Sequence, residues 1–457
     1  MKPFEAHGFW WLPGNEKKCA GVLQCNEDGQ LRLFLYGALF DFRQALEHSG
    51  RFPIAFGEIT RLSSDKQEPP KGSKVTLFDG YVSSSHIGEN HTQTLFAHRG
   101  VFGDTHVSPN ERFTSVRLLL SGAASWASDL TTIAGDSATV SDQIASITWR
   151  WKAEPITVAF PRGRITISTL ISSSHQARER TVRERVWFSA YYNDAVPMDV
   201  LEGDVYALQN FLTFATDHPN TITKYEVRQE AGGKFGGLQV VGPTVFDDEK
   251  VASELLPHDM LFSLPNVAER FPELISRWFQ IVESRRPAIL VYFGLKYAQP
   301  GYAEVRFQQI AQAVSLYRSA AVSLPVNELL QSTERGDLVN AKQVQADLLG
   351  THPLVMFQTA LDGLIRECPQ ALDPLANGNR NACVSVLVDA LAQAMYGLRK
   401  ETHTQFHWLV EVTGFFWKVA VLVELGFAPD ELLHLLRQNR MYRHLQHNIA
   451  PQLFPSS

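Results

Sequence analysis

The chain has few cysteines, and this scarcity bears on both its redox chemistry and its metal binding. Only four cysteines occur among 457 residues. Neither Cys19 with Cys25 nor Cys368 with Cys383 has the close CxxC spacing of zinc ribbons and redox motifs. We therefore expect reduced, buried thiols.

We also find neither a membrane-spanning apolar run nor a net positive charge in the sequence. The N-terminus lacks a basic segment followed by a long apolar run, and we find no later run of the length that crosses a bilayer. We therefore expect a cytoplasmic protein with no membrane partner. The formal net charge is −6 at pH 7, which disfavours indiscriminate binding of nucleic acid, because such binding depends on neutralising many phosphates. Any contact with RNA should be local.

The length and composition predict a globular protein of more than one domain. Hydrophobic residues make up 44% of the chain and charged residues 20%, which are ordinary values for packed domains. A chain of 457 residues exceeds what one hydrophobic core usually serves. We expect two or three domains.

The N-terminal part has the apolar pattern of antiparallel β-structure. From Gly8 to about Asn193, short alternating runs are separated by Gly, Pro, Asn and Asp. The NEDG sequence at Asn26–Gly29 stands between two apolar runs and predicts a hairpin turn. This region is predicted to be rich in strands.

The pattern changes twice further along the chain. After about residue 200, Val200–Thr216 and FPELISRWFQIVES have helical spacing, whereas KYEVRQE and GLQVVG predict strands. From Tyr302 onward nearly every apolar run has the spacing of an amphipathic helix. We place a boundary near Pro300, in KYAQPGY. The predicted fold is α+β and multidomain, with a β-rich antiparallel domain over 1–300, helical in part after about 200, and an all-α bundle over 301–457.

Several segments resemble one family in order along the chain. The text GFWWLPGNEKKCAGVLQCNEDGQLRLFLYG resembles the opening of the ApeA N-terminal domain, where an aromatic-rich segment precedes a strand, an Asp-Gly turn and a second strand. The likeness continues through GSKVTLFDGYV, LFAHRGVFGDTHV and FTSVRLLLSGAASWAS. ISRWFQIVE and YAEVRFQQIAQAVSLYR are similar to the junction with that family's helical HEPN domain. The resemblance thus covers nearly the whole chain.

The resemblance implies a prokaryotic anti-phage defence protein. Its HEPN domain is expected to be a metal-independent endoribonuclease that needs no cofactor, with RNA as its substrate. HEPN domains generally pair, so the resemblance also implies a homodimer. The N-terminal domain is expected to respond to infection, with a phage-derived trigger as a further partner.

The family pattern selects two candidate catalytic residues. HEPN ribonucleases resemble one another in an Arg, often followed by Asn, and a His a few residues later, near the start of a long late helix. In this sequence Arg399 and His403 immediately precede an apolar helix that ends near Gly426, although the spacing is one residue short and Lys400 stands where Asn is common. We predict Arg399 and His403 to be catalytic and Lys400 to bind RNA.

The residues around His403 also favour a phosphate site on their own chemistry. Thr402 and Gln405 fit a capping box, which places His403 in the first helical turn. Free backbone N–H groups and the positive end of the helix dipole gather there and suit a phosphate. Histidine exchanges a proton near neutral pH, and arginine stabilises charge on phosphoryl oxygens.

The basic segment HLLRQNRMYRHLQH offers a rival. Its Arg437 and His444 are separated by six residues, a spacing that also arises by chance, as it does for Arg99 and His106. A solvated helix face is the simpler interpretation. The alternative is that Arg437, Arg440 and Arg443 bind the RNA backbone.

Metal binding is a weaker interpretation of the same helix. His403, His407 and Glu411 recur every four residues, a spacing that presents side chains on one helical face. HTQFH lacks the Glu of a HExxH zincin, however, and no further cluster of ligands is visible. We predict no metal site, and we expect His407 to pack or to support a neighbouring residue.

Two alternatives remain open at this stage. Phe9, Trp10 and Trp11 suit either a ligand platform or core anchors beside a strand, and the core is favoured. The short spacing and Lys400 are also compatible with a catalytically inactive HEPN domain that serves as an RNA-binding or dimerisation module.

Overall fold

The fold separates most of the strands from most of the helices. The computed structural model describes residues 3–15, 17–40, 51–63, 72–86, 91–128, 134–135, 139–141, 144–146, 149–150, 154–176, 179–229, 237–242, 255–298, 301–319, 352–397 and 403–455. The chain forms two compact units. The β-unit comprises Met1–Leu212 and Asn220–Glu254, and the helical unit comprises Thr213–Pro219 and Leu255–Ser457.

Six strands in the described part of the β-unit close into an antiparallel barrel. They are β1 (Phe4–Trp11), β2 (Cys19–Cys25), β3 (Leu31–Leu35), β4 (Arg51–Ser63), β5 (Lys74–His86) and β6 (Thr92–Gly103). The hydrogen-bonded ring runs β1–β2–β3–β6–β5–β4 and returns to β1. Closure leaves no exposed strand edge along this ring, which removes a common route to aggregation.

Alternation along β1 sends every second side chain into the barrel. Phe4, Ala6 and Trp10 are buried in its core, whereas Phe9 faces outward with 45% of its surface exposed. Trp10 lies so close to Gly57 on the adjacent strand that a Cβ atom there would approach the indole to 2.2 Å. The prediction that the aromatic run includes core anchors is therefore confirmed by Trp10, whereas Phe9 lies outside the core.

The barrel continues into a second antiparallel sheet through β6. This sheet contains β7 (Arg112–Leu120), β12 (Ile156–Phe160), β13 (Gly163–Gln176), β14 (Glu179–Pro197), β15 (Ile222–Gln229) and β16 (Leu238–Val241). Strand β16 pairs with β6, and the order then runs β16–β15–β7–β14–β13–β12. Two short ladders complete the described strands, β8 (Ala134–Gly135) with β11 (Trp149–Arg150) and β9 (Thr139–Ser141) with β10 (Ile144–Ser146).

Two helices accompany the strands in the described part of the β-unit. They are α1 (Ala123–Trp126) and α2 (Met198–Thr216), whose last turn from Thr213 belongs to the helical unit. Trp126 of α1 packs with its ring centroid 6.0 Å from Phe188 of β14 and 5.9 Å from Phe211 of α2. Asp204 of α2, almost fully buried, accepts two hydrogen bonds from Arg162 at 2.6 and 3.0 Å.

The described helices of the helical unit are mostly amphipathic. They are α3 (Leu264–Val267), α4 (Phe271–Ser284), α5 (Arg286–Tyr297), α6 (Ala303–Arg318), α7 (Pro353–Glu367), α8 (Pro369–Leu372), α9 (Arg380–Tyr396), α10 (His403–Glu424), α11 (Pro429–Gln438), α12 (Arg440–His444) and α13 (Ala450–Leu453). Short 3₁₀ turns lie at Pro257–Asp259 and Asp373–Ala376, and a π turn at Leu445–Ile449. Helix α6 packs against α5, α7, α9 and α10.

The predicted change from strands to helices is confirmed, but the units divide earlier in the chain than Pro300. Helices α4 and α5 join the helical unit, because their aromatic faces pack into its core. Tyr292 of α5 stacks on Trp417 of α10 with ring centroids 3.6 Å apart, and Trp278 of α4 stacks on Phe214 at 5.7 Å. The predicted hairpin at Asn26–Gly29 is also confirmed, with Gly29 in the left-handed region at φ 73°.

Helix α10 is the long apolar helix of the unit. Within the described residues, Thr404–Glu424 is long and apolar enough to cross a membrane by length and composition, contrary to the expectation that no run has that length. However, 78% of its apolar window is buried inside the protein, as in a core helix. All four cysteines are free; Cys19, Cys25 and Cys383 are buried, as predicted, and Cys368 is partly exposed.

Candidate functional site

Four helix ends meet at one end of the helical unit. Phe307 in the second turn of α6 contacts Phe357 of α7 and Phe406 of α10, with ring centroids 6.3 and 5.9 Å apart. The next residue of α6, Gln308, donates a hydrogen bond from its side-chain amide to the carbonyl oxygen of Ala394, close to the end of α9. The starts of α6, α7 and α10 therefore lie beside the end of α9. We call this region the α10 end.

The predicted catalytic segment connects α9 to α10 at this end. Helix α10 begins at His403, which confirms that His403 lies in the first helical turn. Arg399, Lys400 and the predicted cap Thr402 lie outside the described residues, and only the backbone of His403 is described. The first turn of any α-helix has backbone N–H groups without partners inside the helix. An anion is favoured at such a position.

Helix α9 ends three residues before Arg399. Gly397 adopts φ 70°, the left-handed conformation that terminates many helices and that glycine adopts without steric cost. Tyr396, the last helical residue, is 56% exposed. Its side chain therefore lies at the surface of the α10 end.

Tyr396 is paired with a histidine that sequence reasoning did not single out. The Nε2 atom of His352 lies 3.0 Å from the Tyr396 hydroxyl oxygen. His352 is the N-cap of α7, and its Nδ1 atom accepts a hydrogen bond from the backbone N–H of Leu354 at 3.4 Å. The two residues are 44 positions apart in the sequence, so no local motif links them. Pro353 after His352 is the one signal that a helix starts there.

His407 and Glu411 follow His403 along α10 but are already engaged. The ring of His407 contacts that of Trp408 at 4.9 Å, and a carboxylate oxygen of Glu411 lies 3.9 Å from the guanidinium of Arg306. A cation beside Glu411 would compete with this guanidinium. Across the described residues, moreover, no group of three or more His, Cys, Asp or Glu side chains is arranged to hold a metal ion.

The basic C-terminal segment is two helices rather than one continuous helix. Asn439 separates α11 from α12 and is buried; its side chain donates to the carbonyl oxygen of Met260 at 3.0 Å and accepts from the N–H of Tyr442 at 2.9 Å. The predicted solvated face holds for Arg437, Arg440 and Arg443, which are all exposed.

The three arginines of this segment differ in their charge partners. Arg440 lies 2.8 Å from the carboxylate of Asp259. In the described part of the chain, neither Arg437 nor Arg443 has a carboxylate within 4.0 Å. Arg437 and Arg443 are therefore the two whose charge is available to a phosphate.

His444, the residue that pairs with Arg437 by spacing, lies beside Trp408 of α10. Their ring centroids are 5.2 Å apart, and the Nδ1 atom of His444 is 3.0 Å from the side-chain amide of Asn448. The same tryptophan contacts His407. Trp408, His407 and His444 thus form a half-exposed aromatic cluster within two turns of the start of α10.

A buried charge cluster anchors the opposite part of α10. Asp217 accepts from the Nζ of Lys418 at 2.6 Å and from the Nζ of Lys296 at 2.9 Å. Burial by itself raises the pKa of Asp217, but the two ammonium groups outweigh burial and lower the pKa to about 2. Burial lowers the pKa of Lys418 despite its contact with Asp217. Because α10 carries both Lys418 and His403, this cluster fixes the helix that begins at the candidate site.

Comparison with known proteins gives one match. A family model described as ApeA N-terminal domain 1 matches residues 5–278, which is more than half of the chain. The match covers the β-unit and extends into α4 of the helical unit. No curated protein and no solved structure matches the chain.

Proposed function

Because the chain belongs to the family defined by the ApeA N-terminal domain, and is thus an anti-phage defence protein, we propose that its helical unit is a HEPN-type endoribonuclease. The proposed enzyme cleaves RNA without a metal ion or cofactor. It acts as a homodimer through the helical unit and is switched on by a phage-derived trigger. Arg399 and His403 are its proposed catalytic residues.

The observation that carries this proposal is the position of His403 at the first residue of α10. The free N–H groups and the positive dipole end of a 22-residue helix favour a phosphate there. Histidine has a pKa near neutrality, which suits it to proton transfer beside that phosphate. The starts of α6 and α7 and the end of α9 lie beside the start of α10, so side chains from these helices lie near the proposed site.

The proposed reaction is attack of an RNA 2′-hydroxyl on the adjacent phosphorus. The 2′-oxygen bonds to phosphorus, and the bond from phosphorus to the 5′-oxygen breaks. The 2′-hydroxyl proton passes to His403, and the departing 5′-oxygen takes a proton from the His403 imidazolium of the second copy. Arg399 stabilises the charge on the phosphoryl oxygens. The products are a 2′,3′-cyclic phosphate and a 5′-hydroxyl, and DNA is not cleaved because it lacks the 2′-hydroxyl.

RNA is proposed to be held by basic residues around this site. Lys400 adjoins Arg399, and Arg437, Arg440 and Arg443 supply an exposed basic surface. Arg440 is expected to contribute least of the three, because Asp259 already partly neutralises it. The attraction of such a surface for RNA weakens as salt increases.

The test is cleavage of labelled RNA in EDTA by the full-length protein. Extract from phage-infected cells is added if the protein alone is silent. His403→Ala should reduce cleavage by about 10²–10⁴-fold, the range typical of a lost acid–base group. Arg399→Ala should reduce it by about 10²–10³-fold, the range typical of a lost donor that stabilises the transition state. The matched control is His444→Ala, which removes the histidine of the rival pair.

The outcomes of this experiment separate the candidates. Retention of activity by His403→Ala together with loss in His444→Ala would assign the chemistry to the rival pair. An inactive wild-type protein that still binds RNA or dimerises would favour the second function, a non-catalytic HEPN module. The short spacing between Arg399 and His403 is the observation that favours this second function.

A further inference from the structure

One of the three tryptophans in the helical unit is left partly in solvent. Trp278 and Trp417 are fully buried, whereas Trp408 of α10 is half-exposed. Its ring contacts that of His407 at 4.9 Å and that of His444 in α12 at 5.2 Å, so the indole lies beside the basic C-terminal segment. A large aromatic ring at the surface gains free energy when a partner covers it, because burial removes apolar area from water.

The segment beside Trp408 carries charge of one sign. From Leu432 to Asn448 the sequence has three arginines and three histidines but no aspartate or glutamate. Arg443 directly precedes His444 and is exposed, and no carboxylate of the described residues lies within 4.0 Å of its guanidinium. We call Trp408 and Arg443 the Trp408 surface. It combines an accessible aromatic ring with a cation that the described residues do not neutralise.

Single-stranded RNA matches both parts of this surface. Every nucleobase has a flat π-face that stacks on aromatic side chains, and every nucleotide carries a phosphate that an arginine can bind. In a continuous duplex the bases are already stacked on one another, so their faces are not accessible. A second copy of this chain fits less well, because a symmetric contact would place the same arginine-rich segment against itself, and like charges repel.

The Trp408 surface is also close to the proposed site of cleavage. Trp408 is five residues after His403, the first residue of α10, which corresponds to a rise of about 7.5 Å along the helix axis. A strand whose phosphate lies at the start of α10 therefore has its neighbouring nucleotides within reach of Trp408.

We infer that the Trp408 surface binds an unpaired nucleotide of the RNA substrate, with the base stacked on Trp408 and a phosphate beside Arg443. The inference rests on the proposed ribonuclease function and names its substrate class, which is RNA with a single-stranded segment. Trp408 takes no part in proton transfer. It gives the enzyme a preference for loops, bulges and single strands over continuous duplex, and this preference tolerates all four bases because each has a π-face.

Binding is measured separately from cleavage, with a fluorescein-labelled oligonucleotide in which every ribose is 2′-O-methylated. This strand has no free 2′-hydroxyl, so the full-length wild-type protein binds it without cutting it. Trp408→Ala should weaken binding by about 5- to 150-fold, the range expected for one lost aromatic–base stack, and Trp408→Phe should recover most of the affinity. The matched controls are Tyr36→Ala, at an exposed tyrosine of the β-unit, and Arg366→Ala, at an exposed arginine of α7. Both should bind as the wild type does.

Three further readouts distinguish stacking from a general loss of structure. A strand of abasic nucleotides keeps its phosphates but has no bases, so the wild type and Trp408→Ala should bind it equally. Annealing the complementary strand to the methylated oligonucleotide should likewise remove the difference between these two proteins. Arg443→Ala should lower the slope of log affinity against log salt by about 1, whereas Trp408→Ala should leave that slope unchanged.

The outcomes separate this inference from the proposed function. Equal affinity of the wild type and Trp408→Ala for the methylated strand, or no binding by either, would overturn the inference. Dissociation of Trp408→Ala into monomers with unchanged RNA affinity would also overturn it, and would assign the ring to a contact between copies. If binding depends on Trp408 but the wild type cuts unmethylated RNA no faster than His403→Ala does, the binding site stands and the proposed catalytic function fails.

Discussion

The β-unit and the helical unit satisfy the hydrogen-bonding groups of their backbones in different ways. In the barrel, each of β1–β6 pairs with a neighbour on both sides, so hydrogen bonding closes around the ring. The helical unit instead brings the ends of several helices together, where the N–H groups of the first turns have no partners within their helices. The family match lies mainly in the first unit, and the proposed catalytic residues lie in the second.

The helical unit and the barrel core also differ in how they use charge. The helical unit buries the carboxylate of Asp217 between two ammonium groups. The barrel core is lined by apolar side chains such as Trp10, Leu23 and Leu77. Loss of one charge should therefore damage the helical unit, whereas a change of volume should damage the barrel.

Asp217→Ala tests the helical side of this comparison. The change leaves Lys418, only 2% exposed, and Lys296 without their shared carboxylate. We expect the free energy of unfolding of the helical unit to fall by about 3–5 kcal/mol. Hydrogen exchange, read separately for α10 and for β1–β6, would show whether the loss is confined to one unit. Equal loss of protection in the barrel strands would contradict independent cores.

Acid titration tests the same cluster through a smaller effect. The pKa of Asp217 is lowered from 3.8 to about 2 in the folded protein, so its contribution to stability is complete above pH 3.8 and is lost as the pH falls towards 2. We expect about 2 kcal/mol of acid-dependent destabilisation of the helical unit in this window. Denaturant unfolding at pH 5 and pH 2.5 should show this loss in the wild type, and Asp217→Asn should lack it.

Gly57→Ala tests the barrel side with a single methyl group. The new Cβ would lie 2.2 Å from the buried indole of Trp10, so one of the two must move. We expect a loss of about 1–3 kcal/mol in the stability of the β-unit. Gly203→Ala in α2 is the matched control, since no described atom outside the adjacent residues and the nearby helix backbone lies within 4 Å of the new methyl group. It should stabilise by about 0.5–1 kcal/mol.

The smallest expected effect concerns the exposed arginines of the helical unit. Arg443→Ala should weaken RNA binding by His403→Ala protein and reduce the slope of log affinity against log salt by about 1. Arg440→Ala should have a weaker effect, because Asp259 is 2.8 Å from its guanidinium. Fluorescence anisotropy at several salt concentrations measures both. A larger effect for Arg440 would contradict the assigned charge partners.

Local periodicity was enough to predict most elements, including α2 and α4 and the strands β15 and β16. Periodicity does not predict which core a helix joins, so the sequence favours a boundary near Pro300 although Tyr292 packs on Trp417. Closure of the barrel depends on pairings such as Glu5 with Ser63, which a local pattern does not contain. Long-range pairing is decided by the whole fold.

In the candidate site, too, the local sequence predicts where helices begin but not which distant residues come into contact. The capping pattern near Thr402 located the start of α10 to the residue. Asn439 is a favoured N-cap type, and its presence in HLLRQNRMYRHLQH was a signal that the segment breaks into two helices. The contacts of His352 with Tyr396 and of Asp217 with Lys418 join residues far apart in sequence. No spacing rule predicts them.

The proposed cleavage of RNA at the start of α10 is tested most directly by the chemistry of RNA ends in infected cells. Cells that express the wild-type protein should accumulate 2′,3′-cyclic phosphate and 5′-hydroxyl ends after phage infection. Cells that express His403→Ala at the same level should not. Equal accumulation of these ends in both would contradict the claim.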